Sequence, residues 1–515
     1  MSSRVHDGGL AFLGQAMAVI GVDIGTSGCR AMAFDSEGHA LSFARAPVSR
    51  AYSPEGRVEI RPEALLSAFR DAVSQAASEA VQPIRALACS VFGGALSALD
   101  DEGRPILPVI CTTDNRARPD AEAWANNFGR ERTYEICGLP VSPTLNLLKI
   151  LAVRREDPEI FRRVSKFVSP GELALQSLGA PVVADLAMAS TWMALDLRLA
   201  DWAEPILEAA RLDRSLFPGL ARPGEIIGAV NESGACAGLE VGAALVAGGH
   251  DQQVCALGAG LTEPGMATDS LGSVECVTSA FRGPRFDPVL RDHNYSCLYH
   301  VYGGLFVSLA YNFSSGDLLR WYQRTFLPGQ ADDERLSDLL DGLPEKPAKL
   351  LCLPHFAGSG TPTLDALSRG AIMGLSLDSS PSDILKAIVD GQCYEMRLNL
   401  DLWAGAGLRF DELRAYGGGA RSDYLLQLRA DILGLPVHRL GVSEAGCLGA
   451  AALAAAAIGE AGDAADFARR VSVNRTFEPR QQIRLAHEPN YQIYRQMYER
   501  LAPISHALAG HRMAA

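Results

Sequence analysis

Positive charge and long apolar runs are scarce in this sequence, and each shortage excludes a class of protein. There are 47 Lys and Arg residues against 60 Asp and Glu, a net charge of −13, which argues against broad binding to nucleic acid or to anionic membranes. The most apolar run, residues 445–459, is shorter than the roughly 20 residues that span a bilayer. We therefore expect no nucleic-acid or membrane partner, and we predict a buried alanine-rich helix at this run.

Paired cysteines and zinc-type clusters are absent as well. The 11 cysteines are scattered from Cys29 to Cys447, with no CxxC pair and no grouping with histidine at zinc spacing. An odd number of dispersed cysteines indicates a reducing compartment and thiols that mostly fill cores. Residues 1–16 hold no continuous apolar stretch of signal-peptide quality, so we expect a cytoplasmic location.

The sequence contains enough apolar residues to form large globular domains. Its 515 residues are 48% hydrophobic and 21% charged, values typical of soluble proteins. A strand, a glycine-containing turn and a second strand occur at 18–34 and again at 265–275. Two halves that begin alike predict duplicated α/β domains with a cleft between them. The predicted divisions are an extension at 1–16, domains at 17–255 and 256–500, and a tail at 501–515.

Hydrophobic periodicity predicts the individual elements. We expect strands and helices in the first half at these positions: strands at 17–23, 30–34, 41–46, 84–91, 95–99 and 241–249, and helices at 61–81, 157–168 and 201–210. A further helix is expected at 424–433, after a glycine triplet.

The first segment with chemical potential runs from Asp23 to Arg30, with the sequence Asp-Ile-Gly-Thr-Ser-Gly-Cys-Arg. A glycine-rich hairpin directly after a buried strand can direct backbone N–H groups and hydroxyls at a phosphate. A carboxylate at the strand end can hold Mg²⁺ through water. An ordinary hairpin with a capping Asp explains the same residues.

The second segment is Gly249-His250-Asp251-Gln252-Gln253. A carboxylate on a loop after glycine can accept a proton from an attacking hydroxyl, while Gln252 orients the substrate. A helix N-cap is the alternative explanation for Asp251. His250 is more typical of a structural loop residue than of a base.

The third segment is a glycine triplet followed by an amphipathic helix. Its residues, Gly417 to Ser422, read Gly-Gly-Gly-Ala-Arg-Ser and allow backbone to approach a flat or phosphorylated ligand closely. The spacing differs from that of a Rossmann fingerprint. By itself the triplet is more typical of a bare turn than of a ligand site.

In order and spacing, these segments resemble the FGGY carbohydrate kinases of the actin, Hsp70 and hexokinase superfamily. The resemblance extends over 19–459 and includes Ser270-Leu-Gly-Ser273 as a second phosphate loop. It implies an α/β fold of two duplicated actin-like (ribonuclease H-like) domains, each a mixed β-sheet flanked by helices. It also implies ATP and Mg²⁺ as cofactors and a small sugar or polyol as substrate. The oligomeric state stays open, with a homodimer as one option.

The resemblance assigns roles to residues of this sequence. Asp251 is the implied general base, which takes the proton from the sugar hydroxyl that attacks the γ-phosphate. Asp23 is implied to organise Mg²⁺ through water. The implied ATP-binding residues are Gly25, Thr26, Ser27 and Arg30 on the first loop, Gly272 and Ser273 on the second, and Gly418, Gly419, Ala420 and Ser422 beneath the adenosine.

The implied acceptor site departs from known members. Glycerol kinases carry an Arg-Glu pair and xylulose kinases a Met-His pair where this chain has Phe92-Gly93, and a Tyr of glycerol kinases is replaced by Thr144. We therefore expect a ketose or related sugar rather than glycerol. Phe92 is a candidate for stacking on the sugar and Gly93 for leaving room; packing of a strand end is the alternative.

Four further residues complete the predicted site. Gln252 is expected to contact the substrate, and Asp114 with Arg116 matches the Asp-x-Arg motif of the family, although a surface ion pair explains that motif nearly as well. Glu275 lies two residues after Ser273, so we expect it to face away from the γ-phosphate or to contact the sugar. The leading hypothesis is an ATP-dependent sugar kinase. The alternatives are a catalytically silent sensor of sugar or nucleotide and an actin-type ATPase without a sugar acceptor.

Overall fold

The computed structural model describes residues 17–327, 333–442, 444–469 and 472–514. The predicted extension at 1–16 lies outside the described residues. The described chain forms two α/β halves, 17–258 and 259–514, each built on one large sheet.

The first half alternates strands with helices. Its strands are β1 (Ala18–Gly25), β2 (Gly28–Asp35), β3 (Ala40–Pro47), β4 (Ala51–Tyr52), β5 (Val58–Ile60), β6 (Ile84–Val91), β7 (Ser97–Leu99), β8 (Val109–Ile110), β9 (Lys166–Val168), β10 (Val183–Asp185), β11 (Leu195–Asp196), β12 (Asp201–Trp202), β13 (Gly219–Ala221), β14 (Ile226–Ala229) and β15 (Ala244–His250). Its helices are α1 (Pro62–Glu79), α2 (Arg118–Trp124), α3 (Arg130–Cys137), α4 (Asn146–Glu156), α5 (Pro158–Arg162), α6 (Pro170–Gln176), α7 (Leu186–Ala189), α8 (Glu204–Ala210) and α9 (Asp251–Gly258).

The second half repeats this alternation. Its strands are β16 (Met266–Leu271), β17 (Glu275–Arg282), β18 (Leu298–Tyr299), β19 (Leu305–Asn312), β20 (Leu351–Leu353), β21 (Ala371–Met373), β22 (Glu412–Tyr416), β23 (Val437–Leu440) and β24 (Val473–Phe477). Its helices are α10 (Pro288–Asp292), α11 (Gly316–Phe326), α12 (Asp333–Asp341), α13 (Pro381–Gly405), α14 (Asp423–Leu433), α15 (Ala445–Ala457), α16 (Ala464–Ala468), α17 (Gln481–Tyr494) and α18 (Met497–Ala514).

The two large sheets share one topology. In the first half β3, β2 and β1 pair antiparallel, β6 and β15 follow in parallel, and β14 closes the sheet antiparallel. In the second half β19, β17 and β16 pair antiparallel, β22 and β23 follow in parallel, and β24 closes antiparallel, with β18 added at the other edge. The prediction of duplicated α/β domains with mixed sheets flanked by helices is therefore confirmed.

The alanine-rich helix α15 joins the two halves. It belongs to the second half in sequence, yet it packs on β1, on β6 and along α9 of the first half. A Cβ placed on Gly21 would lie 1.7 Å from the carbonyl oxygen of Cys447, so only glycine permits this approach. Small side chains on both surfaces bring helix and sheet close together, and the predicted buried helix at 445–459 is confirmed.

Several local expectations differ from the structure. The helix expected at 157–168 ends at Arg162 and is followed by β9, which pairs with β7. The helix expected at 201–210 begins only at Glu204, because Asp201–Trp202 pairs with β11. The predicted domain boundary at 255/256 falls within α9, and the predicted tail from 501 falls within α18.

In the described part of the chain, no helix combines the length and apolar character needed to cross a membrane. All 11 cysteines are unpaired, and all but Cys236 and Cys255 are buried, which agrees with the role of core filler.

Candidate active site

The β1–β2 hairpin places Asp23 at the cleft. The strands pair from Ala18 and Asp35 up to Gly25 and Gly28, which leaves Thr26 and Ser27 as the two turn residues. The Asp23 side chain is 16% exposed. Its Oδ1 accepts a hydrogen bond from Ser90 Oγ on β6 over 2.9 Å, and its Oδ2 accepts one from Arg30 Nη1 over 3.0 Å.

The electrostatic surroundings of Asp23 favour its neutral form. Burial raises its pKa from 3.8 to about 6, and the nearby charge of Asp251 adds to the increase, whereas Arg30 and Ser90 oppose it. Arg30 also lies 3.7 Å from Glu444, at the start of α15. Two carboxylates and one guanidinium therefore meet on this side of the cleft, and an added cation would relieve the excess of negative charge.

Asp251 is the first residue of α9 and directly follows β15. Its Oδ1 accepts a hydrogen bond from Gln252 Nε2 over 3.4 Å, and His250 Nε2 lies 3.2 Å from the same oxygen. The side chain is 28% exposed, and no hydrogen bond to Oδ2 occurs among the described residues. Oδ2 is therefore the oxygen that can receive a proton from a ligand.

The side-chain oxygen of Gln252, beside Asp251, is a hydrogen-bond acceptor without a partner. Its Nε2 points to Asp251, while its Oε1 is buried and has no hydrogen-bond partner in the described chain. A buried amide oxygen without a partner is costly, and a ligand hydroxyl would satisfy it. The contact of Gln252 with the substrate stays a prediction.

The turn between β16 and β17 is exposed, and hydrogen bonds from the start of α11 fix its backbone. The N-terminal residues of α11 fix it, with Gly316 N donating to Gly272 O over 3.0 Å and Ser315 N donating to Ser273 O over 3.1 Å. Arg320 Nη2 donates to Ser273 Oγ over 2.6 Å. A fixed turn beside a guanidinium suits the predicted binding of phosphate.

The glycine triplet follows β22 and rests on the same turn. Gly417 has φ +91°, and a Cβ there would lie 3.0 Å from Leu271 O. A Cβ on Gly418, by contrast, would meet no atom within 4 Å. Packing within the protein therefore does not require glycine at 418, and this backbone offers an open surface to a ligand. Ser422 caps α14 by accepting from Leu425 N over 3.3 Å.

Two cavities meet at these loops. The interdomain cavity, about 630 Å³, is bordered on one side by Asp23, Arg30 and Glu444 and on the other by Gly272, Gly418 and Ala420. The apolar cavity, about 430 Å³, is bordered by Leu271, Leu319, Leu340 and Leu425 together with Ser273, Gly419 and Ser422. Both share Gly272, Gly418 and Arg421, so one elongated ligand with an apolar end and a charged end fits the pair.

The residues present also suit Mg²⁺. Among the described residues no cluster of three or more His, Cys, Asp or Glu side chains forms a protein cage for a metal. Mg²⁺ usually retains water and binds one or two carboxylates together with substrate phosphates. Asp23 and Glu444 supply carboxylates of this kind on the wall of the interdomain cavity.

Three residues predicted to contact the substrate need correction: Phe92 and Asp114 are buried, and Gly93 lies against His250. Phe92 is 4% exposed and packs in the core of the first half, so it offers no face for stacking on a sugar. Gly93 leaves no room for a substrate, because a Cβ there would lie 2.3 Å from His250 Cδ2 and Nε2. Asp114 is buried, and it accepts from Val58 N over 2.8 Å and from Arg116 Nε over 2.8 Å; it forms a buried ion pair that fixes loops.

Glu275 faces away from the turn between β16 and β17. This agrees with the first of the two expectations for it, that it faces away from the γ-phosphate rather than contacting the sugar. It is fully buried, and its Oε1 accepts from Arg429 Nη2 over 3.0 Å. Asp269 Oδ2 lies 3.4 Å from Arg429 Nε. Burial raises the pKa of both carboxyls, and Arg429 opposes the increase. The side chain of Arg429 also borders the apolar cavity, where its Nη1 has no partner within the described structure.

Sequence reasoning missed four contributors: Ser90, Glu444, Arg429 and the contact of His250 with Gly93. Arg429 left a signal, since it lies seven residues after Ser422 and four after Leu425, on one face of α14. A charged residue on that otherwise apolar face indicated a special role. The others depend on partners distant in sequence and left no local pattern.

Comparisons with known proteins agree with this architecture. Residues 18–258 match the family model described as FGGY family of carbohydrate kinases, N-terminal domain, and residues 286–458 match its C-terminal domain model. The crystal structure of gluconate kinase from Lactobacillus acidophilus superposes with a TM-score of 0.89 at 20% identity, covering 95% of this chain and 98% of that one.

Curated relatives align over nearly the whole chain. Xylulose kinase from Lactococcus lactis subsp. lactis (strain IL1403) is 27% identical over 500 residues, which is 95% of this chain and 98% of the relative. Glycerol kinase from Halorhodospira halophila (strain DSM 244 / SL1) is 28% identical over 494 residues, which is 90% of this chain and 93% of the relative. With both domain models matched in order and the fold shared, this chain is a carbohydrate kinase and belongs to the FGGY family.

Proposed function

We propose that this kinase transfers the γ-phosphoryl group of ATP to a hydroxyl of a ketose, with Asp251 as general base. The observation that carries the proposal is the carboxylate of Asp251: its Oδ1 accepts from Gln252, its Oδ2 has no hydrogen-bond partner in the described chain, and the side chain is 28% exposed. Its charge interacts with that of Asp23, which borders the interdomain cavity. The candidate base therefore lies near the candidate phosphate site.

In the proposed reaction the sugar hydroxyl loses its proton to Asp251 Oδ2. The hydroxyl oxygen forms a bond to the γ-phosphorus, the bond from that phosphorus to the bridging oxygen breaks, and its electron pair leaves with ADP. Gln252 Oε1 accepts from a second hydroxyl of the sugar and fixes its orientation. Positioning and charge stabilisation provide most of the rate enhancement in such transfers.

The nucleotide is proposed to bridge the two cavities. Its base would lie among the leucines of the apolar cavity, and its phosphates would pass over Gly418 and Gly272 toward Thr26 and Ser27. Asp23 and Glu444 would hold Mg²⁺ through water, and the ion, when bound, neutralises charge on the phosphates. Arg30 keeps the Asp23 carboxylate oriented.

The names of relatives support a ketose as the substrate class. Xylulose kinase aligns over 98% of its own length, although a glycerol kinase and a gluconate kinase are also similar. Glycerol is disfavoured because Phe92-Gly93 replaces the Arg-Glu pair of glycerol kinases and the position of the pair's second residue is filled by the His250 ring.

The test is ADP release with Mg-ATP over a panel of ketoses, aldoses, aldonates and polyols of three to seven carbons. We expect one ketose to stand well above the background, and we expect Asp251→Asn to lower that rate by at least about 10³-fold because the base is lost. The variant must bind ATP as the native protein does, which a fluorescent nucleotide can report.

A flat panel with normal ATP binding would contradict the proposal and favour the silent sensor. Sugar-independent ATP hydrolysis would favour an actin-type ATPase. Neither alternative has a specific observation in its support, because Asp23 and Asp251 are both present and lie close enough for their charges to interact.

A further inference from the structure

One cavity of the first half, which we call the α2–α4 cavity, is separate from the active site. It has a volume of about 480 Å³ and is bordered by α2, by the π-helical turn Ala125–Gly129 that follows it, by α4 and by the end of α8. None of its lining residues borders the interdomain cavity or the apolar cavity. Small-molecule sites have volumes of this order and combine apolar walls with a few polar groups. The lining therefore indicates which kind of molecule the cavity can bind.

The apolar wall of the α2–α4 cavity is formed mainly by two aromatic rings. The ring centroids of Trp124 and Phe128 are 4.7 Å apart, with 31° between the ring planes, and Leu151 adds an aliphatic side chain. Trp124 Nε1 donates to Thr133 Oγ1 over 2.9 Å, so the polar atom of the indole is already used. Phe128 is half-buried and belongs to the π-helical turn, a rare conformation that is frequent at functional sites. This wall suits a flat apolar group.

The acidic side chain of the α2–α4 cavity is already paired. Arg155 Nη2 donates to Asp120 Oδ2 over 2.8 Å, and Arg155 Nε donates to both oxygens of Asp120 over 3.3 Å. The same Nη2 also donates to Arg116 O over 2.8 Å. Charge-assisted hydrogen bonds of this kind join Asp120 and Arg155 into an ion pair that needs no ligand.

The other guanidinium in the lining, that of Arg154, is fixed in place but has no carboxylate partner in the described chain. Its Nη1 donates to Ala210 O over 2.7 Å and to Arg211 O over 3.0 Å. Its Nε and Nη2 make no hydrogen bond with the described residues, and its Cζ lies 5.9 Å from the ring centroid of Phe161. Burial and the charge of Arg211 lower the pKa of Arg154, and Asp120 opposes the decrease. A bound anion would offset the two positive charges, because guanidinium groups bind carboxylate and phosphate oxygens through paired hydrogen bonds.

We propose that the α2–α4 cavity is a second ligand site, which binds a small oxyanion that carries a flat apolar group. The oxyanion, a carboxylate or a phosphate ester, accepts hydrogen bonds from Arg154, and the apolar group packs against Phe128 and Trp124. Arg154 selects the sign of the ligand's charge, since Asp120 is neutralised by Arg155. The inference does not depend on the proposed function, because the cavity shares no lining residue with the active-site cavities.

The first test is isothermal titration calorimetry of the full-length protein with phenyl phosphate, without and with a saturating non-hydrolysable ATP analogue and Mg²⁺. We expect one equivalent to bind whether or not the analogue is present. Phenyl phosphate should bind about tenfold more tightly than inorganic phosphate, because its ring contacts the aromatic wall. Benzoate, titrated in the same way, shows whether the site prefers a carboxylate or a phosphate ester. Benzylamine, which has the ring but the opposite charge, should not bind.

Substitutions in the lining should change this affinity in opposite directions. Arg154→Gln should weaken the binding of phenyl phosphate at least about tenfold, because a charged donor is lost. Asp120→Asn should strengthen it about threefold, since a negative charge near the anion is removed and Arg155 becomes available to it. Phe128→Leu should weaken the binding of phenyl phosphate about threefold and leave that of inorganic phosphate unchanged.

Arg70→Gln is the matched control for Arg154→Gln. Arg70 is half-buried as well, and its Nη2 donates to two backbone carbonyls, Ser177 O and Ser233 O, but it does not border the α2–α4 cavity. This substitution should leave the affinity for phenyl phosphate unchanged.

Four results would each overturn the proposal: no saturable binding of phenyl phosphate, binding that the ATP analogue abolishes, equal binding of benzylamine, or an affinity that Arg154→Gln does not change. If melting curves show that Arg154→Gln is not folded, Asp120→Asn decides instead. An affinity that is the same or weaker in Asp120→Asn would then contradict a site for an anion.

Discussion

The two hairpins that open the halves place an Asp at the same position and use it differently. Asp23 lies two residues before Gly25, the last paired residue of β1, and Asp269 lies two residues before Leu271, the last paired residue of β16. Asp23 borders the interdomain cavity and has a half-exposed partner, Arg30. Asp269 is completely buried.

The ion-pair partner of each aspartate, rather than the strand that carries it, determines its role. Arg429 extends from α14 to Asp269 and to Glu275, and this cluster is closed to solvent. Asp23 instead shares Arg30 with Glu444 at the mouth of a cavity. Equivalent strand positions therefore hold a structural carboxylate in one half and a carboxylate available to a ligand in the other.

The largest effect should follow from removing the buried cation. Arg429→Leu leaves two carboxylates without a partner in the core, and we expect a loss of about 3–5 kcal/mol in the free energy of unfolding. Urea denaturation followed by fluorescence would measure it. A triple variant that adds Asp269→Asn and Glu275→Gln should regain much of the loss. If Arg429→Leu alone were as stable as the native protein, the carboxyls would not depend on the ion pair.

Asp23→Asn should produce the opposite pattern, with loss of function and no loss of stability. We expect kcat/KM for Mg-ATP to fall about 100-fold, because a preorganised charge at the phosphates is lost. Since the folded pKa of Asp23 lies above its ordinary value, the ionised side chain destabilises the fold at neutral pH. The melting temperature of the variant at pH 7 should therefore equal or exceed that of the native enzyme. A lower melting temperature would show that Asp23, like Asp269, is structural.

The pH dependence of kcat/KM for Mg-ATP should distinguish Asp23 from Asp269 further. In the proposed role, Asp23 serves Mg-ATP only in its ionised form, and its pKa is about 6. As pH falls through that value, kcat/KM for Mg-ATP should decrease, by roughly tenfold at pH 5 relative to its plateau. The plateau should extend upward from about pH 7, and Asp23→Asn should lack this limb. An acidic limb that survives in Asp23→Asn would have to be assigned to another group.

Many of the features compared here could be predicted from the sequence, because each is formed by residues that are adjacent in the chain. The two strand–turn–strand units, the loops that carry Asp251 and Ser422, and the alanine-rich helix each arise from residues adjacent in the chain. The helices expected at 157–168 and 201–210 were partly wrong because each range includes a short strand: β9 pairs with β7, far earlier in the chain, and β12 forms a local hairpin with β11. Strand pairing there overrides a helical pattern.

The site could be predicted only where the chemistry lies within one motif. Phe92 and Gly93 are adjacent to the site in sequence, but core packing and the His250 ring determine what they do. Nothing near Glu275 predicts its neutralisation by Arg429, which comes from a helix far along the chain. Contacts between distant segments set the direction and charge of side chains, and a single sequence does not contain them.

We expect the smallest effect from substitution of Ser90, which changes the pKa of Asp23 but leaves the carboxylate in place. Its hydroxyl donates to Asp23 Oδ1 over 2.9 Å and lowers the pKa of that carboxyl. In Ser90→Ala the pKa of Asp23 should rise, so kcat/KM for Mg-ATP at pH 7 should fall roughly two- to threefold and recover near pH 8. Ser97→Ala is the matched control, because Ser97 is also buried and donates to a backbone carbonyl, Leu107 O, over 2.8 Å. A deficit that stays constant between pH 6 and pH 8 would mean that Ser90 acts on position rather than on charge, and the contrast between Asp23 and Asp269 would then rest on Arg30 and Arg429 alone.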